Sequence, residues 1–155
     1  MRQRAQYLWA TIRIGLGWLF LWAFLDKLLG LGFSTPPERA WLAGGSPTAG
    51  YLANASVGPL SGLYRGLAGA AWVDWLFMLG LLGLGLALLL GVAMRLAGYA
   101  GALLMLLMWS SQLPPAQNPI IDEHIIYALT LLGLAASDAG DTWGLGRWWA
   151  KRYPF

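Results

Sequence analysis

WVDWLFMLGLLGLGLALLLGVAM, residues 72–94, carries one charge, Asp74, near its start and no other before Arg95. Some twenty consecutive apolar residues make a helix about 30 Å long, the thickness of a bilayer's hydrocarbon core. The stretch therefore reads as a membrane-spanning helix. Three more apolar segments flank it, at about residues 7–29, 96–113 and 119–137. Of the 155 residues, 58% are hydrophobic and 11% charged. That charge fraction is less than half of the roughly 25% usual in soluble domains. The expected fold is all-α and integral to the membrane: one domain, residues 1–155, built as a four-transmembrane-helix bundle.

The same composition excludes several kinds of chemistry. With no cysteine there are no disulfides, thiolate metal sites, iron–sulfur clusters or dithiol relays. One histidine rules out a bis-histidine haem within a single chain. The net charge of +3 is small, and the basic residues read as topology signals, not as a nucleic-acid footprint. The first apolar segment is too long for a signal-peptide core and contains Arg13, Asp26 and Lys27.

The connections differ. Arg95 and its neighbours join spans two and three, and PPAQN, residues 114–118, joins spans three and four. Links this short make antiparallel neighbours. Spans one and two are separated by about forty residues rich in Gly, Pro, Ser and Thr. Helix starts at Ser34 or Thr35 and at Ser46–Pro47 predict short interfacial helices there, with Trp41, Tyr51 and Tyr64 at headgroup level. Arg2, Arg4, Arg95, Arg147, Lys151 and Arg152 fall on one side of such a bundle, and Arg39 and Arg65 on the other. Both termini are therefore expected in the cytoplasm of a multi-pass protein, with the long loop outside. Gly83, Ala87 and Gly91 in span two, and Gly98 and Ala102 in span three, form small-residue stripes that predict close helix packing.

This topology gathers charges at the outer end. Asp26 and Lys27 close span one, Asp74 opens span two, and Asp122, Glu123 and His124 open span four, beneath a loop carrying Arg39 and Arg65. Acids in a first turn after Asn118 and Pro119 suit the helix dipole, but a histidine there does not follow from it. His124 is open to three readings: a hydrogen-bonded structural group, a proton-transfer group, or a metal ligand with Asp122 or Glu123, which would be a poor donor set. Asp26 and Lys27 are an interfacial anchor or a site pair. At the inner end Arg13 is expected to pair with Asp138, with Asp141 as the other candidate, or to snorkel to the headgroups. Trp18, Trp22, Trp72, Trp75 and Trp109 form an interfacial belt or line a pocket.

RIGLGWLFLWAFLDKLLGLGF (13–33), PTAGYLANASVGPLSGLYRGLAG (47–69), DWLFMLGLLGLGLALLLG (74–91) and the long run from Leu113 to Trp149 resemble the DoxX/DoxD family of small four-span membrane proteins. The likeness is greatest to the DoxD-like subunit of thiosulfate:quinone oxidoreductase. The resemblance implies a prokaryotic plasma-membrane subunit passing electrons from thiosulfate to quinone, the quinone being substrate, with a DoxA-like partner. A non-catalytic partner of another redox or transport complex is the alternative, and self-association stays open. In this reading Lys27, Asp26, Asp74 and Arg65 bind substrate, and His124, Glu123 and Asp122 serve catalysis. No resident metal is expected.

Overall fold

The computed structural model describes residues 2–116 and 118–153; Met1, Gln117, Pro154 and Phe155 lie outside it, including one residue of the 114–118 link. Four long helices form the body: α1 (Arg2–Leu29), α4 (Ala71–Leu90), α5 (Met94–Ser111) and α6 (Glu123–Ala136). Short helices α2 (Ala49–Asn54), α3 (Ser61–Gly66) and α7 (Gly146–Arg152) lie in the loop after α1 and in the C-terminal segment. Two 3₁₀ turns, Pro37–Arg39 and Trp41–Ala43, precede α2.

The four apolar segments are thus helical where expected, with shifted ends. Span two stops at Leu90 because Gly91 takes a left-handed conformation (φ 71°). A Cβ there would come within 2.8 Å of the Gly140 carbonyl oxygen. Met94 and Arg95 consequently open α5 instead of closing α4. Span four starts at Glu123, not Pro119, because Asp122 is the residue whose side chain caps the helix. Asn118 instead folds its own turn, its Oδ1 accepting from the Ile120 and Ile121 amides. The Ser34/Thr35 start gives only the Pro37–Arg39 turn, which has no side-chain cap. The second start succeeds one step later, with the Ser46 hydroxyl accepting from Ala49 N at the head of α2.

Two helices, Gln3–Leu29 and Ala71–Leu90, are long and apolar enough to cross a membrane. At 1.5 Å per residue the fourteen residues of α6 reach about 21 Å, short of a full hydrocarbon core. Large apolar side chains face outward on all four long helices, among them Trp18, Leu76, Leu103 and Leu129. A soluble protein rarely exposes apolar surface so widely.

The helices associate as two intimate pairs, α1 with α4 and α5 with α6, while α4 and α5 touch more loosely. Phe20, Met78, Leu84, Leu88, Leu131 and Leu134 fill the shared core. Small residues set the close approaches. A Cβ on Gly85 would fall 2.8 Å from Leu21 N, and one on Gly17 2.8 Å from Leu89 N. Gly98 packs as expected, its absent Cβ site 2.5 Å from Ala135 Cβ across the α5–α6 seam. The span-two stripe divides: Gly91 is pressed against Gly140 and Ala87 packs on the core, but Gly83 has nothing within 4 Å of its Cβ position. Gly85, two residues on, occupies the packing face.

Candidate functional site

The loop after α1 covers the end of the bundle formed by the C-termini of α1 and α5 and the N-termini of α4 and α6. It is fastened by the acids expected to bind substrate. Asp26 is 1% exposed. One of its oxygens accepts from Phe33 N at 3.2 Å, the other from Ser34 N at 3.0 Å and Ser34 Oγ at 2.7 Å. Asp74, also buried, accepts through one oxygen from Ser46 Oγ (2.9 Å), Thr48 N (3.1 Å) and Thr48 Oγ1 (2.6 Å). Three donors from the loop tie each carboxylate to it, all three on Asp74 falling on Oδ1. Both acids therefore hold the loop. Arg65 does likewise, giving Nη2 to Ser56 O at 3.1 Å, and Arg39 is exposed. Val57 N donates to Ser111 O, tying the loop to the end of α5.

Lys27 differs. Its neighbour Asp26 faces the loop, whereas Lys27 lines a cavity of about 170 Å³ between the loop and α4 and α5. Among the described residues its ammonium has no hydrogen-bond or ion-pair partner. The polar part of the wall holds Tyr51, Tyr64, Thr48 and Ser111, and the apolar part includes Phe77, Leu104, Leu107 and Met108. The phenols are fixed. Tyr51 Oη sits 3.0 Å from Ser111 Oγ and accepts from Gln112 Nε2 at 2.8 Å. Tyr64 Oη donates to Leu107 O at 3.0 Å and lies 2.6 Å from Ser110 Oγ. The lysine is thus the one charged side chain lining this mostly apolar chamber. That arrangement suits an amphipathic ligand with a carbonyl or anionic oxygen. Sequence reasoning named Lys27 but placed both tyrosines at the headgroups. The signal missed was the Ser110–Ser111–Gln112 run, three polar residues at the end of an apolar helix.

His124, 9% exposed, stands apart from this cavity. Its Nδ1 lies 2.8 Å from Asp122 Oδ2, while Asp122 Oδ1 accepts from the His124 and Ile125 amides at 3.0 and 3.3 Å. Asp122 lies just outside the α6 helix. Burial by itself would raise its pKa, but the hydrogen bonds from the His124 side chain and the helix amides outweigh it, and the pKa falls below the ordinary 3.8. An ionised Asp122 only accepts, so Nδ1 carries the proton and Nε2 is the ring's other face. One ligand atom each from Asp122, Glu123 and His124 lie within 4.8 Å of one another. The Asp122 oxygens are already engaged as a helix cap, and that donor set gives no further indication of a metal.

These charges therefore share one end of the bundle but divide into separate units: Asp26 with residues 33–34, Asp74 with residues 46–48, Asp122 with His124, and Lys27 in its cavity. None of the five tryptophans considered for a pocket lines that cavity. Trp18 stacks near Trp22 and Trp22 against Phe33, Trp41 meets Trp75 edge-on, and Trp109 Nε1 donates to Ile120 O.

At the other end Arg13 is fully buried, and the expected partner gives way to a different one. Asp138 is exposed. All five guanidinium N–H groups instead meet backbone carbonyls: Nε with Ala139 O, Nη1 with Leu88 O and Leu89 O, and Nη2 with Thr142 O and Trp143 O. Asp141 lies 3.7 Å from Arg147. The last carbonyls of α4 have no partner within the helix and carry the negative end of its dipole, so a cation is favoured there without a carboxylate.

Residues 8–111 of the 155 match a family model described as DoxX. No curated protein and no solved structure matches the chain.

Proposed function

We propose, since the chain belongs to the DoxX family of membrane proteins, that it is a four-span membrane subunit of a quinone-linked oxidoreductase, holding the quinone head group beneath its outer loop. The observation that carries this reading is Lys27 in the wall of a mostly apolar cavity, with no hydrogen-bond or ion-pair partner among the described residues. A quinone carbonyl oxygen accepts from that ammonium, its ring lies against Phe77, Leu104 and Met108, and the lysine stabilises the negative charge that gathers on the oxygen as electrons arrive. The outward apolar side chains on all four long helices support four spans. The distribution of basic residues supports a cytoplasmic side at the termini.

The electrons come from outside the chain, which has no cysteine and a single histidine. In this reading thiosulfate is the donor at the outer face: two thiosulfates couple through sulfur and release two electrons, and the quinone takes these with two protons to become quinol. A DoxA-like subunit presents the thiosulfate. His124, oriented by Asp122, is the proton-transfer group of this reading, and because it stands apart from the cavity its protons reach the ring through water; Glu123 adjoins it.

Quinone binding by the purified protein in lipid nanodiscs, followed by tryptophan fluorescence, tests the head-group site. Lys27→Met is expected to weaken binding at least tenfold, and His124→Gln to leave binding unchanged while slowing turnover with the partner. Equal affinity of wild type and Lys27→Met would refute the assignment.

A further inference from the structure

With Arg13 held by backbone carbonyls, Asp138 and Asp141 lack the cation that the sequence suggested for them. Among the described residues the Asp138 side chain has no hydrogen-bond or ion-pair partner. Asp141 has only Arg147, 3.7 Å away, in an exposed pair that contributes little. Both acids line a cavity of about 590 Å³, within the roughly 300–1,000 Å³ of small-molecule sites. Arg95, Tyr99, Trp149 and Tyr153 share its wall. No residue lines both this cavity and the one holding Lys27.

The cavity lies at the edge of the hydrocarbon. α4, long and apolar enough to cross a membrane, ends at Leu90, and the cavity wall begins at Gly91. On the α5 side Leu96 and Tyr99 are 71% and 63% exposed, so the polar space borders an apolar outer surface. Trp149 and Tyr153 pack with ring centres 4.5 Å apart, and such rings settle at headgroup level.

The helix ends sharpen the charge pattern. α5 begins at this cavity, and the positive end of its dipole favours an anion, yet Arg95 stands in its first turn. α6 ends at the same cavity, and its last carbonyls favour a cation, yet Asp138 follows two residues after Ala136. Each charge thus stands at the helix end that disfavours its sign. A ligand carrying both an anion and a cation relieves both.

We infer that this cavity binds the headgroup of a phosphoethanolamine phospholipid, its phosphate toward Arg95 and its ammonium between Asp138 and Asp141. The planar guanidinium matches phosphate oxygens. A primary ammonium brings three donors to the two carboxylates, whereas a trimethylammonium brings none. A headgroup with negative charge alone would face two carboxylates and one guanidinium. The acyl chains remain in the bilayer beside Leu96.

The test titrates the full chain, stripped of lipid in detergent, with phosphatidylethanolamine, phosphatidylcholine and phosphatidylglycerol of matched acyl chains. Native mass spectrometry counts the lipid retained. Wild type is expected to hold phosphatidylethanolamine several-fold more tightly than either of the others. The double variant Asp138→Asn, Asp141→Asn changes only exposed side chains. It should erase the preference over phosphatidylcholine and raise affinity for phosphatidylglycerol, a gain that a folding defect would not produce. Arg95→Gln should weaken phosphatidylethanolamine and phosphatidylglycerol alike. Glycerophosphoethanolamine, the same headgroup without chains, should fail to displace the lipid at equal concentration. Equal retention of the three lipids by wild type, or preference for either of the other two, would overturn the proposal. So would a wild-type preference kept by the double variant. Displacement by glycerophosphoethanolamine at equal concentration would give the cavity to a soluble zwitterion and end the lipid assignment.

Discussion

Replacing Arg13 with leucine removes five hydrogen bonds to carbonyls from a fully buried position. Hydrogen bonds to a charged group contribute about 1.5–3 kcal/mol each. Five at the low end give a gross figure of about 7.5 kcal/mol, from which the cost of placing a guanidinium within a membrane protein, about 3 kcal/mol, must be taken. The expected net loss is about 4.5 kcal/mol, because the carbonyls of Leu88, Leu89, Ala139, Thr142 and Trp143 are left without this donor. Arg13→Lys, with three donors on a single nitrogen, should lose roughly half as much. Asp138→Asn provides the contrast: the carboxylate is exposed and apart from the guanidinium, so the change should stay within about 0.5 kcal/mol. Reversible unfolding in mixed micelles, followed by far-ultraviolet circular dichroism, measures all three. Arg13→Leu within 1 kcal/mol of wild type, or Asp138→Asn as harmful as Arg13→Leu, would refute the carbonyl cage and restore the ion pair.

Three further outcomes are expected. Gly98→Val should destabilise the fold by about 1–3 kcal/mol by forcing α5 off α6, whereas Gly83→Ala, facing open space, should be neutral or slightly stabilising; thermal unfolding in detergent distinguishes them. Asp74→Asn should speed hydrogen exchange and proteolysis across residues 45–49, where Ser46 and Thr48 lose their anchor, while amides in α5 and α6 exchange as before. Asp122→Ala should lose about 1 kcal/mol of cap stability. Since the folded pKa of Asp122 lies below its ordinary value, its contribution is present at neutral pH and fades as pH falls below about 4. The stability difference between wild type and variant should therefore shrink on acidification, and a difference that grows would contradict the assignment.

The positions of the four long helices were legible in the sequence because a run of apolar residues interrupted only at its ends is a strong signal. Their boundaries were less so. Proline at 119 looked like a helix start, yet Asp122 caps α6 because its side chain reaches two amides, a geometry that residue type alone does not reveal. Side-chain charges also suggested side-chain partners. Arg13 was expected to pair with Asp138 or Asp141, but its acceptors are backbone carbonyls, which every residue has and no sequence pattern marks. Nor does the sequence mark that loop donors at residues 33–34 and 46–48 engage Asp26 and Asp74, since loop Ser and Thr residues are common and their reach depends on the fold. Of the span-two stripe, Ala87 and Gly91 pack and Gly83 does not, for another reason. A glycine pressed against a helix and one facing open space look alike in sequence, and only the neighbour opposite tells Gly85 from Gly83.

The account depends most on where a quinone rests. A long-tailed quinone carrying a photoreactive group on its ring, crosslinked to the protein in nanodiscs and mapped by peptide mass spectrometry, reports this directly. The label should fall on peptides containing Lys27, Tyr51 and Met108, and be lost in Lys27→Met. Labelling concentrated instead at residues 91–99 and 135–153, or spread evenly over the lipid-facing surface, would contradict it.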